Sequence, residues 1–153
     1  MTRANWVRAG FAMVAAALFA FVVAKPAATS VAAESGGPAE VVAVTFSSAW
    51  CASCRILKPR LARVIPEFAD APVKFVEIDF SFGAAEAARA IAVAEGVEEA
   101  FDDVAGATGF TLLIDRDTGA VIDMLTASYP EKAMRASIAS ALAIAARTPA
   151  EAD

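Results

Sequence analysis

Val41-Val42-Ala43-Val44-Thr45-Phe46-Ser47-Ser48-Ala49-Trp50-Cys51-Ala52-Ser53-Cys54-Arg55-Ile56-Leu57-Lys58-Pro59 is the stretch on which the reading of this chain turns. Its first six residues are a mainly apolar run rich in β-branched side chains, the pattern of a buried strand. A short turn follows. Then come the only two cysteines of the chain, two residues apart, where a helical pattern begins. A Cys-x-x-Cys set between a strand and a helix N-terminus is the arrangement of a dithiol/disulfide redox site.

Composition narrows the alternatives. The chain has 153 residues, is 58% hydrophobic and holds 8 Gly and 7 Pro, so one domain with a proper core is expected. A net charge of −5 and an absence of histidine argue against nucleic-acid binding and against a His-based catalytic or metal site. Two cysteines cannot by themselves complete a four-ligand zinc site, and Arg55 after Cys54 excludes the haem-attachment pattern. No cofactor and no metal are expected.

Outward from the motif, residues 9–24 form an uncharged apolar run preceded by Arg3 and Arg8 and ended by Lys25-Pro26. Residues 1–33 read as a signal peptide, with small residues Val31-Ala32-Ala33 before Glu34, or as an uncleaved membrane anchor; the two share this pattern. Either way the arginines stay inside and the remainder is exported, to the periplasm if the source is bacterial. Residues 34–40 are a linker, 41–148 the folded domain and 149–153 a disordered tail.

Within the domain, strands are predicted over Val41–Phe46, Val73–Phe80, Thr111–Ile114 and Ala120–Thr126. A helix is predicted from Cys51 to Phe68, with Leu57, Leu61, Val64, Ile65 and Phe68 as its apolar stripe and with Pro59 and Pro66 disturbing it. Residues 84–105 suggest two short helices split near Gly96, the second carrying Glu98, Glu99, Asp102 and Asp103 as a solvated face. Ser128-Tyr129-Pro130-Glu131 reads as a capping box for a last helix that buries Met134, Ile138, Leu142 and Ala145.

The Phe five residues before Cys51, the Trp immediately before it and the Pro five residues after Cys54 resemble the active site of the thioredoxin superfamily. The resemblance implies an α/β three-layer sandwich, a mixed central sheet with helices on both faces, over about residues 38–148. It implies catalysis by Cys51 and Cys54. Cys51 is the exposed sulfur at the helix end, where dipole and free N–H groups favour the thiolate; Cys54 faces the core and resolves the mixed disulfide. The competing readings are a structural disulfide, which so short a loop would make weakly stabilising, and a metal or iron–sulfur site shared by two chains. Trp50, Phe110 and Thr111 are the expected substrate-binding residues.

Two positions depart from the family. Thr45 stands where thioredoxin has a buried Asp. Phe110, in Thr108-Gly109-Phe110-Thr111-Leu112, stands where the family has a cis-proline opposite the dithiol. A non-proline cis bond costs roughly 3–4 kcal/mol, so a trans peptide is expected.

The function implied is an exported thiol:disulfide oxidoreductase, acting on protein thiol and disulfide clients. The absence of a His between the cysteines favours the reducing direction. A reductase outside the cytosol implies a membrane electron donor. The alternative is a thioredoxin-fold binding or assembly module without general turnover, motivated by Thr45 and Phe110.

Overall fold

A computed structural model of the chain describes residues 40–81, 85–104 and 106–147. The expected signal or anchor over 1–33, most of the linker and the tail over 149–153 lie outside the described residues.

The first strand, β1 (Val41–Ser47), is wholly buried. Such a strand must be covered on both faces and paired on both edges, and it is. β2 (Val73–Asp79) runs parallel to it on one side and β3 (Phe110–Asp115) antiparallel on the other. β4 (Val121–Thr126) completes the sheet antiparallel to β3, in the order β2-β1-β3-β4. The parallel pair needs a crossover. It is supplied by α1 (Cys54–Val64) and a 3-10 turn, Ile65–Phe68. The 3-10 geometry begins at Ile65, just before Pro66, whose missing N–H cannot continue the α ladder.

Alternation along β1 sorts the core into two layers. Val41 and Ala43 point to one face, where Leu57, Leu61 and Val64 of α1 meet Met134, Ile138, Ala141 and Ala145 of α4 (Glu131–Ala145). Val42, Val44 and Phe46 point to the other, under Ala88 and Ala92 of α2 (Ala85–Glu95) and Ala100 of α3 (Glu98–Val104). Each fully buried Leu, Ile or Val contributes about 1.5–3 kcal/mol. The result is the expected mixed sheet between two helical layers. Among the described residues, no helix is long and apolar enough to cross a membrane.

Three local expectations are corrected. The active-site helix begins at Cys54, not at Cys51; residues 51–53 are a turn. The capping box before α4 is not formed. Pro130 is the N-cap, the Ser128 hydroxyl pairs with that of Thr126 at 2.7 Å, and Glu131 accepts from Arg63 instead. The α4 stripe buries Ala141 rather than Leu142, which packs at its margin. The split near Gly96 is present: this residue has φ +70° between α2 and α3. The acidic face of α3 is partly self-neutralised, since Arg89 bonds Asp102 at 2.7 and 3.1 Å.

Candidate active site

β1 ends in the middle of the sheet, and its exit loop delivers Trp50 and Cys51 to the start of α1. The loop is held from two sides. Cys51 N–H donates to the Ser48 carbonyl at 3.2 Å, and Ala49 N–H donates to Ser81 Oγ at 2.9 Å, tying the loop to the end of β2.

Cys51 and Cys54 form a disulfide with their Cα atoms 5.3 Å apart. Cys54 N–H, the first amide of α1, donates to Cys51 Sγ at 3.1 Å. This is one of the orphan donors of a helix N-terminus, and such an end favours negative charge on the atom it faces. Cys54 Sγ lies 3.9 Å from the Phe46 carbonyl, beneath the turn. In this oxidised state both cysteines are buried, at 7% and 4% exposure, so the picture of an openly exposed Cys51 is corrected. Trp50 beside them is 59% exposed.

Thr111, expected at the substrate edge, has a fully buried side chain whose hydroxyl pairs with that of Thr45 at 2.8 Å. Thr45 and Thr111 are cross-strand partners, so both point the same way, toward the α1 layer. The position of the family's buried Asp is thus filled by a neutral hydroxyl couple. Phe110 also differs from expectation. Its ring packs on Phe46 at 5.4 Å, in the layer under α2 and α3 and therefore on the sheet face opposite α1. Its peptide with Gly109 is trans.

The residue that stands against the dithiol is Gly109. A β-carbon there would fall 2.0 Å from Ser53 Oγ and 3.3 Å from Cys51 Sγ. Gly109 has φ +103° and its N–H donates to the Phe46 carbonyl at 2.8 Å. The signal for it lay in the Thr108-Gly109-Phe110 segment: a glycine next to a strand start permits close backbone approach. Ser53 completes the site, its hydroxyl 3.3 Å from Cys51 Sγ.

Among the described residues no group of three or more His, Cys, Asp or Glu is placed to hold a metal ion. Glu77 on β2 accepts from the Ser47 hydroxyl at 2.6 Å and from Lys58 of α1.

The sequence model of the thioredoxin family matches residues 26–95, a span that includes β1, the two cysteines, α1 and β2. No curated protein matches the chain. A mixed four-stranded sheet between helical layers, a Cys-x-x-Cys disulfide where the buried strand meets its helix, and this family match over residues 26–95 support a thioredoxin-superfamily assignment.

Proposed function

We propose that this chain is an exported thiol:disulfide oxidoreductase working in the reducing direction on protein clients. The observation that carries the reading is the Cys51–Cys54 disulfide at the head of α1, with the Cys54 amide on Cys51 Sγ. In the reducing direction the Cys51 thiolate attacks one sulfur of a client disulfide. A mixed disulfide forms and the other client sulfur leaves as a thiolate. Cys54 then loses its proton and attacks Cys51 Sγ, which re-forms the observed bond and releases the second client thiolate. Two electrons pass from the chain to the client.

The direction rests on Ala52-Ser53, a small dipeptide without an imidazole to stabilise the reduced form strongly. Export rests on Arg3, Arg8 and the apolar run over 9–24, which would also serve as a tether if retained. A membrane electron donor follows from the compartment. Trp50, flat and exposed beside the sulfurs, is the surface offered to a client peptide.

The test is the reduction potential of the Cys51/Cys54 pair together with insulin reduction by the purified protein in dithiothreitol. Turbidity and a potential near those of reductases are expected. A strongly oxidising potential would reverse the direction, and a folded protein giving no turbidity would favour a binding or assembly module. A reporter fused after residue 40 is expected to be active outside the cytosol; activity in the cytosol alone would refute export.

A further inference from the structure

Ser53 occupies the N-cap of α1, where a serine ordinarily turns its hydroxyl onto an amide of the first helical turn. Here it does not. Its backbone is already helical at φ −65° and ψ −33°, and its side chain makes no capping bond. Its carbonyl, not its hydroxyl, receives the Ile56 and Leu57 N–H groups at 3.0 and 2.9 Å. The hydroxyl instead lies 3.3 Å from Cys51 Sγ. A disulfide sulfur has no proton, so the hydroxyl is the donor.

What leaves room for it is Gly109. Ser53 Oγ sits in the space that a side chain on residue 109 would fill, since a β-carbon would come within 2.0 Å of it. The Gly109 backbone is fixed in turn by its N–H on the Phe46 carbonyl. Any larger residue would meet the hydroxyl and would also be strained at φ +103°.

We propose that Ser53 is a catalytic residue of the thiol exchange, its hydroxyl donating a hydrogen bond to the Cys51 thiolate beside the Cys54 amide, with Gly109 as the positioning residue that leaves the hydroxyl room. A thiolate accepts far more strongly than a disulfide sulfur, so the contact strengthens on reduction. It therefore favours the reduced protein and the ionised Cys51. Ser53 keeps its proton throughout. The assignment rests on the oxidoreductase reading above.

The experiment follows alkylation of Cys51 by iodoacetamide against pH in the reduced, purified full-length protein, for wild type and Ser53→Ala. The substitution removes no capping bond, so the fold is retained. The midpoint is expected to rise by about one pH unit, the tenfold change that a hydrogen bond to a charged group brings. The plateau rate at high pH is expected to rise roughly threefold, because a more basic thiolate is a better nucleophile. Loosened packing alone would raise the plateau and leave the midpoint in place.

At a pH above both midpoints, the equilibrium with glutathione is expected to shift about tenfold toward the disulfide. Gly109→Ala should move the midpoint in the same direction, but not when Ser53→Ala is already present; should Gly109→Ala fail to fold, Ser53→Ala decides alone. A wild-type midpoint in Ser53→Ala overturns the assignment. A wild-type protein that exchanges no disulfide with glutathione overturns the oxidoreductase reading beneath it instead.

Discussion

Replacing Thr45 by Val swaps one buried hydroxyl for a methyl of nearly the same volume. It leaves the Thr111 hydroxyl without its partner 2.8 Å away, at a residue with no solvent exposure. An unpaired buried hydroxyl costs about 1–3 kcal/mol, and Thr111→Val should cost about the same for the same reason. Taking ~2 kcal/mol for each, the melting temperature of a domain this size falls by roughly 10 °C per substitution. The double variant Thr45→Val/Thr111→Val leaves no orphan, and two methyls then meet across the β1–β3 pair. Its stability should return to within about 1 kcal/mol of wild type. Urea unfolding with an unchanged slope supplies the assay, and the double-mutant cycle should give a coupling of about 3–4 kcal/mol. Additive losses in the double variant would refute the reasoning. They would mean that each hydroxyl serves some other group and that the couple is not the unit filling the place of the family's Asp.

Reduced Cys51 is expected to alkylate faster than Cys54 at neutral pH, since the helix amide serves Cys51 and Cys54 lies beneath the turn. Cys54→Ser should therefore trap mixed disulfides with clients and Cys51→Ser none; equal alkylation of the two would contradict the roles. Acid should loosen the α1–α4 layer. The Arg135 guanidinium bonded to Glu67, and that of Arg63 bonded to Glu131, hold both carboxyls below the ordinary value of 4.5. Groups lowered in this way contribute stability that is full above the unfolded value and lost as the pH falls through the folded one. The melting temperature should thus fall between about pH 5 and pH 3, less so at high salt, and Glu67→Gln should flatten that slope; a slope unchanged by the substitution would refute the link.

Much of this was legible in the chain itself. The run Val41–Phe46 announces a strand buried on both faces because nothing polar breaks it before Thr45, and the two cysteines mark the turn that follows. The layers around it could be read because Leu57, Leu61 and Val64 repeat at helical spacing. The substrate edge could not. Along a strand a shift of one residue exchanges the two faces, and Gly109, Phe110 and Thr111 are consecutive. The aromatic ring drew attention, yet it belongs to the far face with Phe46. The Thr45–Thr111 couple joins residues 66 apart, and no local pattern records such a pairing. Ser53 was legible only as half of the small Ala52-Ser53 dipeptide inside a helix expected from Cys51; that its hydroxyl meets a sulfur and not an amide shows only in the structure.

The central strand carries one more consequence, for the order in which the molecule can be made. β1 is the first strand of the domain to leave the ribosome. Its β3 neighbour begins at Phe110, and the helix that seals its α1 layer ends at Ala145. A nascent chain ending at residue 95 would hold β1, α1, β2 and α2 with one edge of β1 unpaired and the Leu57–Leu61–Val64 face still without α4. Contacts of such long sequence separation form late. Gly109 arrives after both cysteines, so their sulfurs emerge without the backbone that later hems them in. Until β3 docks, Cys51 and Cys54 are thiols on an unfinished chain, open to whatever oxidant or disulfide they meet.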